Sequence, residues 1–278
     1  MTGFVRPLPE RQLFRARSLP PTQRSRPLAA PNATLASATE VTGTLGVFTV
    51  VTDRPIVGFR PGQYVSLGVV DGGELVQRPY SIVSLGEGGT RLEFFVRRLP
   101  DGRFSNLLWR QVPGARLLVG PLKGLFTLDA QDRRPRVLIG TGTGLAPLLA
   151  MLEAAATAGD HTPTVLVHGA SFHAELAYGE RIAAFAANGL TLDYRPTVSR
   201  PQEKRNAGWG GRTGRAEAQL AQLLEEWRWL RAGGSVAYLC GNPDMVAACR
   251  AVLIEAGFGE RDIRFELFHQ PVAEHRAA

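Results

Sequence analysis

The stretch VLIGTGTGLAPLLAML, Val137 to Leu152, decides how the chain folds. VLIG reads as a short buried strand and APLLAML opens a helix, with Pro147 near the first helical position. Between them stand Gly140, Gly142 and Gly144. Glycines let the backbone come close to a ligand, and a helix start directs free N–H groups and its positive dipole end at an anion. Thr141, Gly142, Thr143 and Gly144 are therefore expected to seat a pyrophosphate. The spacing is G-x-G-x-G, which differs from the common dinucleotide fingerprint G-x-G-x-x-G. A purely structural strand-to-helix turn would need fewer glycines.

Downstream the same alternation repeats. TVLVHG is followed by ELAYGERIAAFAANG, LTLDYRPTV by AEAQLAQLLEEWRWLRAGG, and SVAYLCG by PDMVAACRAVLIEAGF, before a closing IRFELF. Strand alternating with helix specifies a parallel sheet covered on both faces, with ligands at the carboxyl ends of its strands. Trp227 and Trp229 fall inside the second of these helical segments and read as packing or surface residues. Upstream, from about Ala36 to Asp129, the pattern differs: VTGTLGVFTVVT, GQYVSLGVV, RPYSIVS, RLEFFVRRL, ARLLVG and LFTL are short β-rich runs, separated mostly by Gly or Pro. These specify an antiparallel barrel or sandwich. A chain of 278 residues has room for both units. The expected division is a tail at 1–35, an antiparallel unit at 36–130 and a parallel α/β unit at 135–278.

Charge and composition exclude several functions. The net charge is +7, but residues 1 to 33 hold six arginines against the single acid Glu10, which accounts for five of those charges. The tail also carries Pro7, Pro9, Pro20, Pro21, Pro27 and Pro31, so disorder is expected there. The remainder is nearly neutral and shows no basic stripe with interleaved aromatics, so no nucleic-acid partner is expected. No apolar run reaches the roughly 18 residues needed to cross a bilayer, and no secretory signal is visible, so the expected location is the cytoplasm and no membrane partner is expected. Two cysteines, Cys240 and Cys249, are too few for a four-thiolate iron–sulfur or zinc site, and His161, His168 and His173 share no metal spacing. No bound metal is expected, and any one-electron iron chemistry belongs to a partner.

The second strand of the parallel unit ends in His168, Gly169, Ala170 and Ser171, with no carboxylate before Glu175 to hold a ribose 2′-hydroxyl as in NAD sites. Ser199 and Arg200 follow the third strand, and GGRTGR adds Arg212 and Arg215. A hydroxyl and guanidinium groups suit a 2′-phosphate and favour NADP over NAD. Taken alone, the same residues read as a solvated basic loop.

RPYSIVS, GTGTGLAP and YLCGNPDMV stand in that order, and together they resemble the ferredoxin–NADP reductase family, in particular its bacterial ferredoxin/flavodoxin reductase branch. The resemblance extends over about Ala36 to His269. It implies an FAD-binding antiparallel β-barrel followed by a Rossmann-like NADP-binding domain. It also implies roles for the residues of RPYSIVS: Arg78 pairs with the flavin pyrophosphate, Tyr80 lies against the isoalloxazine ring, Ser81 hydrogen-bonds near its N5, and Pro79 counts among the cofactor-binding residues. Gly102, Arg103, Phe104 and Ser105, in DGRFSNLL, correspond to the second FAD-phosphate segment. Cys240, with Gly241 and Asn242, faces the crevice where nicotinamide meets flavin. Glu266 corresponds to the carboxylate of the last strand, Phe268 to the residue covering the other flavin face, and His269 to an aromatic stacked on the FAD adenine.

The resemblance implies an enzyme, a monomer, that moves a hydride from NADPH to FAD and single electrons to a ferredoxin or flavodoxin. That carrier is expected to be an acidic, transient partner. Ser81, Cys240 and Glu266 are the expected reacting centre, and Ser199, Arg200 and Arg215 the 2′-phosphate site. Two other readings use the same domains: an NAD(P)H-dependent reductase component of an oxygenase or a flavin reductase, and a non-catalytic flavin and nucleotide binder acting as a regulatory protein.

Overall fold

The structure is a computed structural model and describes residues 30–268. The tail expectation falls almost wholly outside the described residues, as does His269.

The antiparallel unit is a closed barrel. It comprises β1 (Ala33–Thr42), β2 (Leu45–Thr52), β3 (Tyr64–Asp71), β4 (Glu74–Leu85), β5 (Arg91–Arg97) and β6 (Arg116–Val119), in the order β1-β2-β5-β4-β3-β6. Closure removes the free edges a sheet would otherwise present. Leu35, Val50, Leu67, Ile82, Leu92 and Phe94 fill the interior, and helix α1 (Arg103–Trp109) adds Phe104 and Leu108 to the same core. Six runs were expected and six strands form, but not the same six. VTGTLGVFTVVT turns at Gly43 and Thr44, so its first residues end β1 and the rest form β2. LFTL is not a strand: Phe126 and Thr127 are buried, with the Phe126 ring 6.0 Å from Tyr238, while Leu125 is 96% exposed. The segment caps the junction between the two units instead of pairing.

The parallel unit comprises β7 (Arg136–Thr141), α2 (Leu145–Thr157), β8 (Thr164–Ala170), α3 (Gly179–Ala187), β9 (Leu192–Val198), β10 (Arg212–Thr213), α4 (Ala216–Glu226), β11 (Val236–Gly241), α5 (Pro243–Glu255) and β12 (Ile263–Leu267). The sheet order is β10-β9-β8-β7-β11-β12, with every pair parallel. The chain builds outward from β7 in one direction and returns to add β11 on its other side. The crevice outside the β7 and β11 carboxyl ends is thus the topological switch point where such sheets bind ligands. Helix α4 stops at Glu226, earlier than the sequence suggests. Trp227 takes an extended conformation, its ring packs tilted against that of Trp229 with centroids 4.7 Å apart, and the Arg195 guanidinium covers it at 4.8 Å. Contacts available only outside the helix win over its continuation. His168 is wholly buried in β8, where burial holds its imidazole down at about 4 and Nδ1 lies 3.1 Å from the Tyr194 hydroxyl. It is a neutral core residue.

Strand alternation in β5 joins the units. Leu92, Phe94 and Val96 face the barrel interior, so Glu93, Phe95 and Arg97 face outward. Arg181 of α3 donates to Glu93 of the barrel and to Glu153 of α2, both at 2.9 Å. Phe95 meets Tyr178 edge-on at 5.3 Å, and Arg97 reaches Glu175. Around these contacts Leu45, Val83 and Phe95 share one apolar cluster with Leu145, Leu148, Leu149 and Leu166. Among the described residues no helix is long and apolar enough to cross a membrane.

Candidate active site

A cleft of about 1100 Å³ opens between the barrel and the switch point of the sheet. That is at the upper end of small-molecule sites and leaves room for a large, extended ligand.

The barrel wall is the middle of β4. Arg78, Pro79, Tyr80 and Ser81 all line the cleft. Arg78 is exposed, and its guanidinium donates to the adjacent Gln77 carbonyl at 2.9 Å, which leaves most of its fork for an anion. Tyr80 is half-buried, 5.4 Å from the Phe104 ring, and burial pushes its phenol well above the ordinary range. It is a neutral aromatic wall. Gly102 to Ser105 line the same side at the start of α1, where the first-turn N–H groups lack helical partners. Two side chains there are committed elsewhere. The Ser105 hydroxyl accepts from Leu99 N and donates to the Gly102 carbonyl, both at 3.1 Å, so it shapes the loop rather than facing a phosphate. Arg103 donates to Glu74 at 2.8 Å and Asp71 at 3.4 Å on the β3–β4 hairpin.

On the sheet side Thr141, Gly142 and Thr143 line the cleft. Gly142 has φ +54, a left-handed conformation that costs other residues roughly 1–2 kcal/mol. Gly144 does not line it. It is buried against β11, where a Cβ would lie 2.6 Å from the Gly241 Cα. Its smallness lets α2 start directly over the switch point. The Thr141 hydroxyl accepts from Asn242 N at 3.2 Å and so ties the ends of β7 and β11 together. Gly241 and Asn242 line the cleft, but the Asn242 side chain caps α5, accepting from Asp244 N and Met245 N ahead of Pro243. Its carbonyl oxygen is therefore spent on the helix.

Cys240 departs from the expectation that it faces the crevice. It is 0% exposed and packs in the apolar cluster with Leu145 and Ala146. Burial, with Glu266 beside it, pushes the thiol well above its ordinary range. The strand places it one layer beneath the floor. Glu266, its register partner on β12, does line the cleft and accepts a hydrogen bond from Ser81 Oγ at 3.3 Å. Burial raises the Glu266 carboxyl above the ordinary range, against the opposing effect of that hydrogen bond. Phe268 follows, partly buried, its N–H donating to the Gly241 carbonyl at 3.0 Å.

Ser199, Arg200 and Arg215 are exposed together at the far end of the cleft, beyond β9. Arg200 leans over Phe172, which also carries the Arg205 guanidinium 3.6 Å above its ring. Arg212 is exposed on β10, outside the cleft lining. Sequence reasoning missed Arg97, Glu175 and Ser171, which line the cleft between the glycine loop and this basic end. Alternation in RLEFFVR carries the signal for Arg97, since it puts Arg97 on the face opposite the barrel core.

The site thus combines an aromatic wall, guanidinium groups spaced along one groove, a glycine loop at a helix start, and a hydroxyl–carboxyl pair where the units meet. These features fit two anionic dinucleotides whose reactive rings approach near Ser81 and Glu266.

Comparison with known proteins agrees. Residues 32–126 match the oxidoreductase FAD-binding domain family and residues 138–251 the oxidoreductase NAD-binding domain family. Ferredoxin–NADP reductase B of Sorangium cellulosum is 36% identical over 197 residues, 69% of this chain and 78% of that protein. The toluate 1,2-dioxygenase electron transfer component of Pseudomonas putida is 33% identical over 76% of this chain and 59% of its own length, so this chain spans little more than half of that relative. Among solved structures, an Amycolatopsis cytochrome P450 reductase superposes with a TM-score of 0.75 at 27% identity, covering 86% of this chain and 69% of its own.

Proposed function

The chain belongs to the ferredoxin–NADP reductase family of FAD- and NAD(P)-binding oxidoreductases, and from that premise we propose that it carries electrons from NADPH to a one-electron carrier, a ferredoxin or flavodoxin. The observation that carries this reading is the meeting of Ser81 from the barrel with Glu266 from the sheet, 3.3 Å apart, at the mouth of the crevice. Bound FAD supplies the conversion between a two-electron hydride and single electrons. The protein's part is orientation and proton placement. Tyr80 and Phe268 flank the ring site; Arg78 and the first turn of α1 receive one diphosphate, and Gly142 and Thr143 the other. Glu266, its carboxyl raised by burial, keeps a proton to higher pH beside the Ser81 hydroxyl, where a ring nitrogen needs a small polar partner. Cys240 supports this floor from below.

Preference for NADPH rests on Ser199, Arg200 and Arg215. The test is anaerobic rapid mixing of the FAD-loaded protein with NADPH or NADH, following flavin absorbance, in wild type and Arg200→Ala. NADPH is expected to bleach the flavin faster. The substitution should weaken NADPH binding about tenfold, as expected for one charge-assisted contact, and leave NADH unchanged. Equal losses with both would sink the 2′-phosphate assignment. Bleaching with neither would leave a regulatory binder. Similarity to the toluate dioxygenase component favours a second reading, a reductase serving an oxygenase. Preference for NADH, with no electron delivery to added ferredoxin or flavodoxin, would select it.

A further inference from the structure

The connection from β9 to α4 carries Ser199, Arg200 and Arg215 along the rim of the cleft, and from Ser199 to Arg215 only Asn206 is buried, at 3% exposure. A buried polar side chain needs partners, and this one has three. Its Oδ1 accepts from His173 N at 2.7 Å, while its Nδ2 donates to the Ser171 carbonyl at 2.9 Å and to the Arg200 carbonyl at 2.8 Å. An N–H on one side and two carbonyls on the other fix which way the amide points. Asn206 thus ties the segment that follows β8 to the segment that follows β9.

These bonds converge on Arg200. Its guanidinium leans over the Phe172 ring at 5.7 Å, and Phe172 stands between Ser171 and His173, the two residues that the amide holds. One side chain therefore anchors both the backbone that carries the cation and the backbone that carries the ring beneath it. The other contact available to Arg200 is weak. Its Nη1 lies 3.5 Å from Glu203 Oε1, both side chains are more than half exposed, and such pairs contribute little. An arginine on an exposed loop gives up backbone and side-chain freedom when it binds an anion, and a backbone already fixed has less to lose. Asn206 does not line the cleft, so any effect on a ligand passes through its neighbours.

We propose that Asn206 is a positioning residue for cofactor choice, its amide holding Arg200 over Phe172 where a ribose 2′-phosphate would meet the guanidinium. The proposal rests on the 2′-phosphate reading of Ser199, Arg200 and Arg215. Asn206 then matters only for ligands that carry this phosphate, and only while Arg200 is present.

The test is calorimetric titration of the FAD-loaded full chain with NADP⁺, NAD⁺ and adenosine 2′-monophosphate, in wild type, Asn206→Ala, Arg200→Ala and the double variant. Asn206→Ala is expected to weaken NADP⁺ and the 2′-monophosphate by about three- to tenfold, no more than removal of the guanidinium itself, and to leave NAD⁺ unchanged. In the Arg200→Ala background the same substitution should cost no further affinity, since two residues acting through one contact are not additive. Asn206→Ser keeps a polar group in the buried position and should show the same selective loss in smaller measure, which preserves the test should the alanine variant fail to fold. Unchanged affinities in both Asn206 variants would overturn the proposal. Equal loss for NADP⁺ and NAD⁺ would also overturn it, leaving Asn206 as a staple of the fold alone. A full additional loss in the double variant would show that Asn206 acts independently of Arg200. If Arg200→Ala itself weakened NADP⁺ and NAD⁺ equally, the 2′-phosphate reading would fall and the proposal with it.

Discussion

Glu266 shows how one residue's surroundings set its chemistry. It lies beside the fully buried Cys240 and accepts one hydroxyl hydrogen bond, which does not offset the solvation its charged form loses. Because the folded pKa is raised above the unfolded one, the folded state holds the proton more tightly. Its contribution to stability is then fully present below the ordinary carboxylate pKa and is lost as pH rises through the raised value. Glu266→Gln keeps a partner for Ser81 and carries no charge. The melting temperature of the variant relative to wild type should therefore climb across that window and then level off. A difference that stays flat with pH would show that Glu266 titrates normally. Ser81 and Glu266 were readable as a pair only through family resemblance, since 185 residues separate them and no local pattern links them. Arg97 was not singled out, and Glu175 was noted only as too distant for a ribose contact, for a related reason. Each looks like an ordinary surface charge until the domain contact puts both in one cleft.

At the scale of elements, the switch point works because three pieces of backbone nearly touch: the end of β7, the start of α2 and the end of β11. Gly144 has φ −62 and ψ −10, which any residue can adopt, so its constraint is space alone. Gly144→Ala should push α2 off β11 and destabilise the protein by about 1–3 kcal/mol, the usual cost of overpacking. Gly179→Ala is the matching control. That glycine opens α3 with nothing within 4 Å of the added carbon, and alanine should be neutral or raise stability by roughly 0.5–1 kcal/mol. Thermal melts of the two variants decide the matter, and equal effects would show that the packing at Gly144 is looser than described. β7, β8 and β11 were legible because burial on both faces makes them nearly continuous apolar runs; β9 and β12 carry charged residues and were legible from their place in the strand–helix alternation, and the two-residue β10 was not legible. The barrel was harder to read. β1 begins at Ala33 and alternates small and polar residues, and LFTL imitates a strand while serving as a cap. The end of α4 was illegible because the Arg195 contact that holds Trp227 outside the helix, against the tilted ring of Trp229, is tertiary.

For the whole molecule, the question is whether barrel and sheet behave as two bodies or one. Domains joined by small polar contacts move and melt separately, and only a large apolar interface overrides that default. Here Phe95, the aromatic that the barrel's β5 sends into the junction, is 2% exposed and belongs to the cluster that holds Leu145, Leu148 and Leu149 of α2. The Arg181 bridge to Glu93 and Glu153 sits at its rim. Unfolding either unit alone would expose this shared core and strand those charges. The FAD-loaded protein should therefore unfold in one calorimetric transition, its van't Hoff and calorimetric enthalpies equal. Phe95→Ala removes the aromatic that spans the junction at a cost of about 3–5 kcal/mol. It is expected to broaden or split that transition by weakening the coupling more than either barrel or sheet. Two separate transitions in the wild-type protein would show that the cluster does not couple the units. The cleft would then be set by ligand binding rather than by the fold, and the meeting of Ser81 with Glu266 would have to be re-established each time a dinucleotide enters.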